Sequence, residues 1–145
     1  MRVLAIVALA ATAVVALVSA GAPQLTVCKS GEALMTNVEI KSPDANWKAE
    51  TTVSFVVTGN LPAPVTGGTI STQAWFDGMD ADNKKEDLCT YKGSPFKCPE
   101  AAGAKSWTFP FPIPSVPWSG ELTAHSEFRN ADGKLLFCMD IAVGL

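Results

Sequence analysis

Four cysteines, a single histidine and one acidic run are the residues of this 145-residue chain whose chemistry could be put to use. Thiols bind metals, exchange electrons or cross-link. No two of Cys28, Cys89, Cys98 and Cys138 have the close spacing of a structural zinc site, so a metal finds no support there. An even number of cysteines behind a secretory leader points instead to two disulfides. Three pairings are open; the short separation of Cys89 and Cys98 favours a local bridge, which leaves Cys28 to meet Cys138. In the chain-entropy model the first loop contributes about 2.5–3 kcal/mol and the second about 5 kcal/mol.

A lone imidazole can act as a general base, but His125 alternates with Ala124 and Ser126, on the side of Glu121, Thr123 and Glu127, which puts it on the outer face of a strand. No Gly-x-Ser-x-Gly elbow, His-Glu-x-x-His run or phosphate-binding loop occurs. Asp77, Asp80, Asp82 and Asn83 invite a calcium reading. Lys84, Lys85 and the missing Glu at the twelfth position from Asp80 break that pattern, so the run is expected to be a solvated loop. The sequence therefore points to no enzyme, no cofactor and no metal.

The stretch from Trp107 to Trp118 organises the rest. In an extended backbone Trp107, Phe109, Phe111 and Ile113 share one face. Pro110, Pro112 and Pro114 remove three successive N–H donors from one edge, so only the other edge can pair. This is an edge strand with a large aromatic face. Two readings fit it: an edge protected against aggregation over an ordinary core, or an edge kept open so that an apolar ligand can pass behind it.

Arg2, the apolar run Val3–Val18 and the small residues Val18-Ser19-Ala20 read as a signal peptide over residues 1–20, with the domain at 21–145. Without Arg2, ten basic residues face fourteen acidic ones, a balance of −4 that argues against nucleic acid. The remaining length suits one domain with a real core.

Strand patterns follow one another along it. Leu34, Thr36, Val38 and Ile40 alternate with Met35, Asn37, Glu39 and Lys41, and Val53, Phe55 and Val57 with Thr52, Ser54 and Val56; Ile70, Thr72, Ala74 and Phe76 form a further inward set. Leu122, Ala124, Ser126 and Phe128 form another inward set, and Phe137, Met139, Ile141 and Val143 the last. With the proline strand these make six or seven strands, hence an all-β, antiparallel, immunoglobulin-like β-sandwich. Thr72, Ala74, Ala124 and Ser126 are small residues between large ones, which allows an apolar cavity between the sheets unless neighbouring rings fill it.

Cys28, the Asp87-Leu88-Cys89 triplet before Cys98-Pro99-x-x-x-Gly103, and Leu136-Phe137-Cys138-Met139-Asp140-Ile141 occur in that order. In this the chain resembles the ML, or lipid-recognition, family, which includes sterol carriers of the Niemann–Pick type C kind, mite group two allergens and fungal phosphatidylglycerol/phosphatidylinositol transfer proteins. The resemblance implies two sheets splayed around a sterol or phospholipid, with sterol transport the leading expectation. It implies wall residues at Val38, Val53, Phe55, Ile70, Phe76, Trp107, Phe109, Phe111, Leu122, Phe128, Met139 and Ile141, and an entrance at Trp75 and Met79. It implies a secreted protein, or one in the lysosomal or vacuolar lumen, acting as a monomer with a donor or acceptor membrane, or a membrane protein, as its partner. Three departures stand out: the third disulfide of many relatives is missing, Glu100 follows Cys-Pro, and there is no Asn-x-Ser/Thr sequon. The alternative is a solid-core immunoglobulin-like module that recognises protein or carbohydrate.

Overall fold

The structure is a computed structural model that describes residues 21–29 and 31–145; the expected leader lies outside the described residues. Eight strands form: β1 (Gln24–Val27), β2 (Thr36–Lys41), β3 (Thr52–Leu61), β4 (Gly68–Phe76), β5 (Met79–Asp87), β6 (Gly103–Pro112), β7 (Glu121–Asn130) and β8 (Leu135–Gly144). They make a five-stranded sheet in the order β1-β8-β7-β4-β5 and a three-stranded sheet in the order β2-β3-β6. Every pairing is antiparallel. No helix among the described residues is long and apolar enough to cross a membrane.

The strand count exceeds the sequence reading because one strand is too short for its alternation to register and another carries none. β1 is only four residues long and is held against β8 by its backbone. β5 is the acidic run expected to be a loop. Asp77 and Gly78 both have positive φ, 48° and 78°, the backbone of a two-residue hairpin turn. That turn folds the charged segment back along β4, where exposed charges suit an edge strand.

The β2 pattern also shifts. Its register against β3 is irregular between Thr36 and Glu39, and Asn37 sits at φ 53°. A bulge moves side chains by one place, so Met35, read as outward, is buried. β8 is buried on both faces from Leu135 to Met139, since the chain before β2 lies along it: the N–H groups of Leu34 and Met35 donate to the carbonyls of Leu135 and Leu136.

The core is a chain of rings between the sheets. Phe128 stacks on Phe137 at 4.2 Å and meets Phe109 edge-on at 5.1 Å; Phe109 stacks on Phe55 at 5.2 Å. Both expected disulfides are present. Cys28–Cys138 has a Cα separation of 5.3 Å and pins β8 to the end of β1, and Cys89–Cys98, at 5.8 Å, closes the connection between β5 and β6.

Candidate functional site

β5 and β6 are the edges of their two sheets, and a cavity of about 490 Å³ opens between them. Register explains the space. On the large sheet Thr72 faces Ser126 across strands and Ala74 faces Ala124, so small side chains meet where a sandwich normally places large ones. Ile70, Leu122 and Phe128 complete that wall, while Thr52, Phe55, Phe109 and Phe111 supply the wall from the small sheet.

The mouth has two unlike lips. On β6, Pro110 and Pro112 are paired with Ser54 and Thr52 through their inner edge and present no donors outward; Pro114 follows just beyond. On β5, Asp82, Lys84 and Glu86 lie opposite Ala74, Thr72 and Ile70, so these charges occupy the inward face of their strand and border the cavity. Asp82 and Lys84 are ion-paired at 3.1 Å. Tyr91, Lys92 and Gly93 close one side of the opening. Burial pushes the Tyr91 phenol well above its ordinary pKa, and the charge on Glu86 adds to this, so it stays a neutral hydroxyl. Gly93 is required: its φ is 91°, and a Cβ there would stand 2.7 Å from the Pro110 ring.

Six of the residues named from sequence line this cavity: Phe55, Ile70, Phe109, Phe111, Leu122 and Phe128. The others lie elsewhere. Val53, Met139 and Ile141 are buried in the core, and Val38 is partly buried on β2, at the far side of its sheet from the mouth. Trp107 is buried against Phe96, with ring centres 4.3 Å apart. The expected entrance residues also lie away from this cavity. Trp75 falls between the inward Ala74 and Phe76, Phe76 packs against Trp118 at 5.9 Å, and Met79 is 53% exposed at the hairpin end. Neither Trp75 nor Met79 borders the cavity, whose mouth is framed by the charged half of β5 and the prolines of β6. The sequence signal for the β5 residues is Asp77-Gly78: as a hairpin turn rather than a loop, it predicts them opposite Ile70, Thr72 and Ala74.

Glu100, the departure after Cys-Pro, has its own partners. Burial works against its ionisation, but the Lys97 N–H at 2.8 Å and the Lys105 ammonium at 3.2 Å outweigh it and hold its pKa below the usual value. It also bridges to Val65 through the backbone.

Outside the cavity, Cys28, His125 and Asp140 place ligand-type atoms within 4.8 Å of one another. Cys28 is committed to its disulfide, so this trio lacks the thiolate a metal would need. His125 is an outer-face residue with its Nδ1 2.7 Å from Asp140 and its Nε2 3.5 Å from Glu127. The hydrogen bond to Asp140, opposed by partial burial and aided by Glu127, raises its pKa.

Comparison with known proteins agrees with this architecture. Residues 23–145 match the family model of the ML domain. Over 111 residues, 77% of each chain, the sequence is 32% identical to a Dictyostelium discoideum protein named as a candidate phosphatidylglycerol/phosphatidylinositol transfer protein. Among solved structures, chicken MD-1 complexed with lipid IVa superposes with a TM-score of 0.62 at 14% identity, over 84% of this chain and 88% of that one. A Niemann–Pick type C2 protein from the Japanese carpenter ant gives 0.54 at 16% identity, over 83% and 98%. At these identities the two structures speak for the fold alone; the family match, which covers nearly every described residue, establishes that the chain belongs to the ML-domain family of lipid-binding proteins.

Proposed function

We propose that this protein is a lipid carrier that takes a sterol or a phospholipid between its sheets, with sterols the leading ligand. The observation that carries the reading is the cavity itself, walled by Phe55, Ile70, Phe109, Phe111, Leu122 and Phe128 and open along the seam between two edge strands. Its volume of about 490 Å³ falls in the range of small-molecule sites, roughly 300–1,000 Å³. A lipid hiding on the order of 400 Å² of apolar surface gains about 10 kcal/mol in gross terms. Immobilisation and ordering remove a large share of that gain, leaving a balance compatible with both capture and release.

The polar groups concentrate at the mouth, which suits a ligand whose apolar body enters and whose headgroup stays near Asp82, Lys84, Glu86 and Lys92. Two disulfides and the leader-like sequence support a secreted or lumenal setting, in which the protein works as a monomer and meets donor and acceptor membranes.

Native mass spectrometry of the protein secreted from its own cells, with lipid extraction of the same sample, tests the proposal. A stoichiometric lipid is expected. Bare protein that also refuses sterols and phospholipids would refute the carrier reading in favour of a recognition module.

A further inference from the structure

Cross-strand rows of the large sheet run inward from the mouth. One consists of Lys84 on β5, Thr72 on β4 and Ser126 on β7. The rows on either side, Glu86–Ile70–Phe128 and Asp82–Ala74–Ala124, are apolar once past β5. The middle row alone stays polar. Thr72 Oγ1 and Ser126 Oγ are 2.8 Å apart, both residues line the cavity, and Ser126 is only 5% exposed.

Two hydroxyls carry two protons and four lone pairs, and the bond between them uses one of each. Neither side chain makes another hydrogen bond among the described residues. One proton therefore remains to serve whatever occupies the cavity. A purely hydrocarbon body laid against this row leaves that proton unpaired in an otherwise apolar wall, which is unfavourable. An oxygen at the same depth satisfies it.

We propose that the Thr72–Ser126 hydroxyl pair sets the ligand specificity of the cavity, selecting lipids with a hydrogen-bonding oxygen partway along an otherwise apolar body. Hydroxylated sterols and hydroxylated acyl chains share that chemistry. The inference rests on the carrier reading. A cross-strand hydroxyl pair also contributes to sheet stability, so the test must read ligand preference rather than stability.

Delipidated full-length protein is titrated with two matched pairs: oleate and ricinoleate, and cholesterol and a side-chain-hydroxylated cholesterol. The hydroxylated member of at least one pair should bind about three- to ten-fold more tightly, the span expected of one net hydrogen bond. Preference confined to the sterol pair assigns a hydroxysterol, and preference confined to the acyl pair assigns a hydroxyacyl lipid. In Thr72→Val/Ser126→Ala the ratio should fall to about one, through weaker binding of the hydroxylated lipid and equal or tighter binding of the unmodified one, because the variant removes the spare donor from the wall. Thr72→Ala/Ser126→Ala, which also removes both hydroxyls, serves if the first double variant does not fold; either single substitution would leave one spare proton. Equal affinities within both pairs, or a preference that survives the substitutions, overturns the specificity assignment and leaves the carrier reading intact. Uptake of none of the four lipids overturns the specificity assignment, and refusal of phospholipids as well overturns the carrier reading.

Discussion

Ala74→Leu separates a true cavity from a packed core through the sign of its effect. Ala74 is buried, lines the cavity and faces Ala124 across β4 and β7. Leucine adds three carbon atoms at that point. In a filled core such an insertion forces neighbours off their rotamers and destabilises by about 1–3 kcal/mol. In open space it buries new apolar surface instead, at about 0.8 kcal/mol per carbon, so the upper limit is a gain of about 2 kcal/mol. For a domain of this size that gain raises Tm by roughly 5–10 °C. The delipidated protein is melted, and the same sample is titrated with a fluorescent sterol. Stability should hold or rise while sterol uptake falls, because the added side chain competes for the ligand's volume. Loss of more than about 1 kcal/mol together with unchanged uptake would refute the cavity argument, since that is the signature of overpacking at a site the ligand never visits.

Three further outcomes follow from the same geometry. Phe109→Ala removes a ring that is 1% exposed and touches Phe55, Phe96 and Phe128, so chemical denaturation should show a loss of about 3–5 kcal/mol. Replacing Cys28 and Cys138 together by serine opens a loop of 110 residues and should cost about 2–5 kcal/mol, read as a lowered Tm; an unchanged Tm would show that the bridge does not constrain the unfolded chain. His125→Gln tests the outer-face triad: the raised pKa means that the folded protein holds the proton more tightly, so the imidazolium's contribution is complete below the unfolded value of about 6.5 and is lost as pH rises through the folded one. The Tm difference between wild type and variant should be small, as befits a half-exposed ion pair, largest in mild acid and absent in alkaline buffer; a difference that grows with pH would contradict this assignment.

Side-chain alternation was legible wherever a strand has one wet face. It found β3, β4 and β7, and the proline spacing identified β6 as an edge. The small residues Thr72, Ala74, Ala124 and Ser126 allowed a cavity without requiring one, and all but Ala124 line it. What periodicity could not supply was the position of one sheet relative to the other. Val53, Trp107 and Ile141 carry the same inward signature as Phe55, Ile70 and Leu122, and only sheet packing separates core from cavity wall. β5 was illegible for a different reason, because an edge strand stabilised by its backbone and guarded by charge has no apolar pattern to read. Trp47 also escaped notice. It is buried against Phe111 and donates from its indole to Ser42, in a segment with no strand periodicity at all.

The two lips of the cavity are consecutive strands, so the segment that joins β5 to β6 is also a tether between them. Cys89–Cys98 takes nine residues of slack out of that tether. This strap limits how far the two lips can swing apart. Shortening or lengthening the strap then becomes a means of setting how fast a lipid leaves, separate from how tightly it is held. Serine at both Cys89 and Cys98 should speed release into acceptor vesicles more than it weakens equilibrium binding, and equal changes in the two would show that the strap does not govern the swing.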